Sequence, residues 1–282
     1  LFFRTSLLYY NTPVHFVIQL SISKMARFNG KVVIVTGSST GIGRQAAVDF
    51  AKEGASVTIH GQSSERLQET QKVLKDAGVP EKRILVVQGP IQEEKTQNEI
   101  IDKTVSQFGK IDILVNNAAI MKPPNCDMNS LDSITCYDYV FAVNVRSIIL
   151  LSELAAPYLE KTKGNIINIS SVAAQKPTTF SIYYSMSKAA LDHWSKDAAA
   201  KYGPKGIRVN TISPGPIRTE FITRHGIVGD AEKFAQMTIF KRFGIPEEVT
   251  KMMLHLASDD ASYVTGAILT IDGGLMVNPP TQ

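Results

Sequence analysis

The chain has 282 residues, 44% of them hydrophobic and 20% charged, with a formal net charge of +4. That balance excludes a disordered or collagen-like chain and lacks the dense basic stripe that nucleic-acid binding requires, so no nucleic-acid partner is expected. The cysteines, Cys126 and Cys136, do not by themselves make a disulfide framework or a zinc site, and they read as reduced thiols of an intracellular protein.

Residues 1–24 carry Arg4 and Lys24 and no acid, and Arg4, Pro13, His15 and Gln19 interrupt their apolar pieces. No apolar run there reaches the roughly 18 residues of a transmembrane helix, so membrane association is not expected. An acid-free leader fits an organelle-targeting peptide. We favour a disordered or upstream extension ahead of a cytoplasmic domain that starts at Met25.

From Met25 onward, β-branched runs at 31–36, 56–60, 83–88, 112–115, 165–169, 207–212 and 268–271 alternate with helical stretches near 42–53, 63–77, 92–108, 132–161, 185–202 and 246–257. Continuous apolar runs such as Val32-Val33-Ile34-Val35 fit strands buried on both faces. Pro246-Glu247-Glu248 opens the last helix with a proline suited to the first turn and acids at the positive end. The alternation predicts an α/β fold: a Rossmann-type, doubly wound parallel sheet of about seven strands with helices on both faces. With no repeat or linker in sight, residues 25–282 form one domain.

The first strand runs into Thr36-Gly37-Ser38-Ser39-Thr40-Gly41-Ile42-Gly43 and then a helix. Glycines at this spacing allow a tight turn, close backbone approach to a pyrophosphate and close helix–strand packing. The helix N-terminus adds free N–H groups for phosphate. A dinucleotide is the expected ligand; at this point a methyltransferase-like nucleotide site and an inert βα turn stay open. Further along, Tyr184 and Lys188 lie at i and i+4 on one helix face, where an ammonium would stabilise the phenolate and lower the tyrosine pKa. Ser171 follows the 165–169 strand at the end where such sheets bind ligands.

Together these segments resemble the short-chain dehydrogenase/reductase family over roughly residues 28–274. Asn116-Asn117-Ala118-Ala119 is similar to its Asn-Asn-Ala-Gly motif, with the last glycine replaced. Asn144 matches the asparagine of the long central helix. Ser171, Tyr184 and Lys188 match the rest of the tetrad, Pro214-Gly215-Pro216-Ile217-Arg218-Thr219 the segment near the nicotinamide, and Asp272-Gly273-Gly274 the C-terminal turn.

The resemblance implies hydride transfer between a nicotinamide cofactor and a ketone or secondary alcohol. Tyr184 would be the acid/base and Ser171 would orient the substrate oxygen. Lys188 would lower the Tyr184 pKa and hold the ribose, and Asn144 would hold a water in a proton relay. Cofactor contacts are expected from Gly37, Ser39, Thr40, Gly41, Ile42, Gly43, Gln62, Asn116, Ala118, Tyr184, Lys188, Pro214, Gly215, Ile217 and Thr219. It further implies a homodimer or homotetramer through the helix that carries Lys188, Trp194 and Ala198–Ala200 and the long helix before it.

Three departures bear on the cofactor. Where an NAD site usually places an acid, this chain reads His60-Gly61-Gln62-Ser63-Ser64, with Glu65 as the first acid. That argues against a methyltransferase and leans toward NADP(H) over NAD(H). Gln62 and Thr40 are neutral where NADP-preferring relatives carry basic residues; Ser63, Ser64 and Arg44 would partly substitute. Gly89-Pro90 replaces a common Asp-Val, and with Ala119 it leaves room for a scaffold or regulatory member that binds dinucleotide and turns over little. A third reading is a membrane-associated reductase anchored by residues 1–24.

The histidines show no metal-ligand spacing, and no metal is expected. Residues 217–245 are apolar but irregular, which divides them between a substrate lid and local core. With Ile120, Met121, Pro123 and Pro124, they point to a hydrophobic carbonyl substrate.

Overall fold

The computed structural model describes residues 26–124, 133–177, 181–225 and 231–278. The 1–24 extension, Cys126, and Ile227 and Val228 of the expected lid lie outside them. The seven expected strands form: β1 (Val32–Val35), β2 (Ser56–Gly61), β3 (Ile84–Gln88), β4 (Ile113–Asn116), β5 (Asn165–Ile169), β6 (Arg208–Pro214) and β7 (Ile268–Ile271). They make one sheet in the order β3-β2-β1-β4-β5-β6-β7 with every neighbouring pair parallel.

Each face of the sheet needs a cover, because strands such as β1, β4 and β5 are buried at every residue. On one side α1 (Gly41–Lys52) and α9 (Pro246–Ala257) pack Phe50, Val249 and Met253 against Val33, Val57 and Ile167. On the other, α3 (Glu94–Phe108), α5 (Ser147–Thr162) and α6 (Ile182–Tyr202) pack Ile100, Leu151, Leu159 and Ala198 against Ile34, Leu114 and Ile166. The chain reverses direction across the sheet between β1 and β4, which opens a crevice at their C-terminal ends. Helix α2 (Ser64–Asp76) borders that crevice beyond β2.

Two local differences from the sequence reading matter for the site. Helix α6 starts at Ile182 rather than 185, because Ser181 caps it by accepting the Tyr184 N–H at 3.3 Å. The expected 132–161 helix is α4 (Ile134–Phe141) and α5 joined through a π-helical stretch, Ala142–Arg146, with Asn144 at its middle. The resulting Ile134–Thr162 helix is apolar and long enough to cross a membrane, yet half of its apolar window is buried, as in a core helix of a folded domain.

Candidate active site

The glycine loop is built by close contacts that exclude side chains. Gly37 and Gly41 have φ of +63° and +57°, which L-residues with a Cβ disfavour. A Cβ on Gly37 would sit 2.7 Å from the Ala118 Cα, and one on Gly43 would collide with the Asn117 amide and the Gly37 carbonyl. Thr36 Oγ1 accepts the N–H groups of Asn117 and Ala118 at 3.0 and 3.1 Å, and Asn117 Nδ2 donates to the carbonyls of Thr36 and Gly37. Thr40, the N-cap of α1, makes no side-chain cap bond, and the first turn holds no acid. The first-turn N–H groups therefore face the loop uncapped, as a pyrophosphate requires, and the residues present fit a dinucleotide.

Buried His60 secures this loop from β2. The Gly37 N–H donates to His60 Nδ1 at 3.3 Å, which places the ring proton on Nε2, and Nε2 donates to the Gly89 carbonyl at 3.0 Å. Burial pushes the imidazole pKa down to about 4, so the ring is neutral at physiological pH.

The second half of the site sits at the end of β5. Ser171 follows that strand in extended backbone, its Oγ accepts the Ala173 N–H at 3.1 Å, and it hydrogen-bonds the Tyr184 hydroxyl. Lys188 is buried, donates from Nζ to the Ile169 carbonyl at 2.7 Å, and lies 5.8 Å from the Tyr184 ring centroid. Asn144 does not reach the two hydroxyls. Its Oδ1 accepts the Ile120 N–H at 2.9 Å, while Nδ2 donates to the Ile120 carbonyl and to Ser187 Oγ at 2.8 and 3.0 Å. The side chain thus clamps the segment after β4 to α6. Both N–H groups of the amide are taken up in this clamp.

Burial decides the electrostatics. It pushes the Tyr184 phenol up to about 12, against a smaller opposite pull from the Ser171 hydrogen bond, and pushes the Lys188 amine down to about 8, partly opposed by Asp192. The expected lowering of the Tyr184 pKa by Lys188 is not found: the ammonium is directed at the Ile169 carbonyl, and desolvation of the phenolate dominates.

Other sequence expectations are placed as follows. Thr219 lies against Gly41, where a Cβ would be 3.1 Å from its Cγ2. Gly215 is pressed on the C-terminal turn, a Cβ there lying 2.7 Å from the Asp272 Cα, and the Asp272 carboxylate accepts the N–H groups of Gly274 and Met276. Pro214 ends β6, and Ile217 is buried. Ile42 faces the apolar core, and Gln62 is exposed with its carbonyl accepting Gln88 Nε2. Ser39 presents its carbonyl to Arg44.

Two further side chains are held by protein partners. The Asn116 amide is buried and donates to Ser152 and Asn168, tying β4 to α5 and β5, so its side chain is turned away from the crevice. Arg44 donates from Nε and Nη2 to the Ser39 carbonyl, Thr70 Oγ1 and the Glu69 carboxylate, which ties its guanidinium to the glycine loop and α2.

The described part of the 217–245 segment is divided between core and surface. Ala235 and Phe243 are buried, whereas Met237, Ile239 and Phe240 are exposed. Within it, α7 (Glu220–Arg224) sets the Phe221 ring 6.0 Å from that of Tyr184. With Met121 and Ala173, it forms an apolar wall around the phenol. Buried His225 anchors that wall: its Nε2 accepts the Met121 N–H at 3.2 Å and its Nδ1 bonds the Phe221 carbonyl at 2.7 Å. Sequence reading passed over His60, Asn117, Asp192 and His225. Two of them carried a signal: Asn117 through its place in the Asn116–Ala119 motif, and Asp192 through its i+4 spacing from Lys188.

The profile of the family described as Enoyl-(Acyl carrier protein) reductase matches residues 37–276. The chain is 35% identical over 249 residues to the 7alpha-hydroxysteroid dehydrogenase of Escherichia coli K12, covering 88% of this chain and 95% of that one. A Caenorhabditis elegans short-chain dehydrogenase/reductase of unknown function, solved with cofactor, superposes with a TM-score of 0.85 at 37% identity, over 91% of this chain and 98% of that one. A 7alpha-hydroxysteroid dehydrogenase complexed with NADH and 7-oxo glycochenodeoxycholic acid superposes with a TM-score of 0.81 at 34% identity, over 89% and 96% of the two chains. Fold, glycine loop and family match agree: this chain belongs to the short-chain dehydrogenase/reductase family and is an NAD(P)-dependent oxidoreductase of CH–OH and C=O groups.

Proposed function

We propose that the protein interconverts a hydrophobic ketone and its secondary alcohol, preferring NADP(H) to NAD(H), with Tyr184 as the acid/base. The observation that carries this reading is the meeting of the Ser171 and Tyr184 hydroxyls beneath the apolar wall of Met121, Ala173 and Phe221. A carbonyl oxygen seated between them receives a hydrogen bond from Ser171 and the proton of Tyr184, while its apolar substituents lie on the wall. The dinucleotide, when bound, supplies or accepts the hydride.

A phenol raised to about 12 keeps its proton at neutral pH, the form that carbonyl reduction consumes. Buried Lys188, mostly protonated below its pKa of about 8, holds the Ile169 carbonyl at the end of β5 beside Tyr184. Glycine-loop residues 37, 39–41 and 43, the Ala118 backbone and segment 214–219 hold the dinucleotide in this reading. The NADP(H) preference rests on the acid-free stretch after β2, although one relative was solved with NADH. We further propose a homodimer or homotetramer, consistent with exposed Ile182 and Met186 on α6.

Oxidation of NADPH and NADH, followed in parallel across a panel of steroid, retinoid, acyl-chain and small ketones and aldehydes, tests the proposal. Faster turnover of apolar ketones with NADPH supports it. Dinucleotide binding without turnover of any member would favour the scaffold reading.

A further inference from the structure

Helix α7 has five residues, too few to hold a helical conformation unaided. Its place depends on its links to the rest of the domain. Arg224 meets Thr40 at 3.4 Å and Glu220 meets Arg66 at 4.0 Å, but these contacts are exposed and worth little. His225, directly after the helix, is buried instead. The Met121 N–H donates to its Nε2 at 3.2 Å, so the ring proton sits on Nδ1 and is donated to the Phe221 carbonyl at 2.7 Å.

Met121 passes the connection on. Its carbonyl accepts Ser181 Oγ–H at 3.2 Å, and Ser181 Oγ in turn accepts the Tyr184 N–H at 3.3 Å. Hydrogen bonds in series thus join the backbone of Phe221 to that of Tyr184, whose ring Phe221 faces. The middle of the series is a fixed point, because Ile120, next to Met121, has both backbone groups held by Asn144. Helix α7 hangs from this clamped segment through one imidazole, which also packs on the Phe221 ring with centroids 4.5 Å apart.

We propose that His225 is a positioning residue for the reaction and a determinant of substrate size, holding Phe221 over the Tyr184 phenol by way of the Met121 N–H. It acts through Phe221 and touches no reacting atom. The inference rests on the reading of Tyr184 as the acid/base acting on an apolar ketone. The link needs a neutral ring, since a proton on Nε2 would replace the acceptor by a second donor. Burial lowers the ring pKa from the usual histidine value, against the pull of the Phe221 carbonyl, and the charges of Arg224 on α7 and Lys122 beside Met121 lower it further. Tyr184 on α6, beyond the Phe221 ring, stays protonated and adds no charge. At neutral pH the acceptor is therefore in place.

The test joins variant kinetics with nitrogen NMR of the full chain, using NADPH with a steroid ketone as the bulky probe and cyclohexanone as the small one. His225→Gln keeps an acceptor near the place of Nε2, whereas His225→Asn keeps only a polar group near that of Nδ1. His225→Leu and His225→Asn should raise KM for the steroid ketone about tenfold, the scale of one buried hydrogen bond, with a smaller change in kcat and in the cyclohexanone KM. His225→Gln should regain most of that loss, and the KM for NADPH should move in none of the three. NMR of the wild type should show His225 as the Nδ1–H tautomer, with Nε2 coupled to the Met121 amide. An Nε2–H tautomer, equal KM changes in the Gln and Asn variants, or equal changes for the two ketones overturns the proposal. If the wild type reduces both ketones and the variants match it, only the role of His225 falls; if it reduces neither, the ketone reading falls and takes this role with it.

Discussion

His60 Nδ1 accepts the N–H of Gly37, so a side chain at the end of β2 fixes the backbone of the loop that ends β1. Its other nitrogen holds Gly89 at the end of β3, and one neutral ring thereby sets the spacing of three strand ends along the nucleotide edge. Gly89-Pro90, read from sequence as a departure that bears on the cofactor, also supplies the carbonyl that receives this ring.

Replacing His60 by leucine would leave the partly buried Gly37 N–H without its acceptor, a cost of about 1 kcal/mol. The expected result is a lower Tm and a dinucleotide KM that rises more than kcat falls. The wild type should also show the imidazole in its acid stability. With a folded pKa of about 4 against 6.5 unfolded, the unfolded chain binds more protons between these values. Stability contributed by His60 is full above about pH 6.5 and falls as pH drops toward 4, by roughly 3 kcal/mol in all. Urea titrations at pH 7 and 5 should show this loss, and it should vanish in His60→Leu.

Tyr184→Phe removes the proton donor and keeps the ring against Phe221. Turnover should fall by roughly 10²–10⁴-fold, the usual worth of general acid–base catalysis. Binding of NADPH, followed by its fluorescence, should be retained. Turnover near the wild-type rate in this variant removes Tyr184 from the mechanism.

Asp192 lies one turn beyond Lys188 on α6, is buried, and raises the Lys188 pKa against the lowering effect of burial. Asp192→Asn should therefore shift the alkaline limb of the kcat/KM profile to lower pH, since Lys188 loses its proton earlier. Asp192→Glu should restore part of the shift. An unchanged profile in a folded variant would show that the carboxylate does not act through Lys188.

Phe221→Ala opens the wall over Tyr184. KM for a bulky apolar ketone should rise about tenfold, the scale of one lost aromatic contact with its buried area, while KM for a small ketone changes little. Equal changes for both substrates would assign Phe221 to loop packing instead.

The strand–helix alternation, the glycine loop and the Ser171–Tyr184–Lys188 order were legible without coordinates. They depend on short-range physics: apolar runs, glycine conformations and the i, i+4 geometry of a helix. Element boundaries agreed closely where one local signal sets them, as at β5, β7 and α9. The π-helical stretch at Asn144 left no periodic trace, because one widened turn does not disturb the apolar pattern around it.

What only the tertiary structure decided is which long-range partners each polar group finds. Asn116 and Asn117 are adjacent and chemically identical, yet one amide faces Asn168 across the sheet and the other holds the glycine loop, because successive side chains near a strand end point to opposite faces. The direction of the Tyr184 shift likewise depended on burial by Met121, Ala173 and Phe221, residues dispersed along the chain. Sequence alone determined the family architecture. The desolvation of Tyr184 and Lys188 came from packing, which joins residues that no local pattern connects.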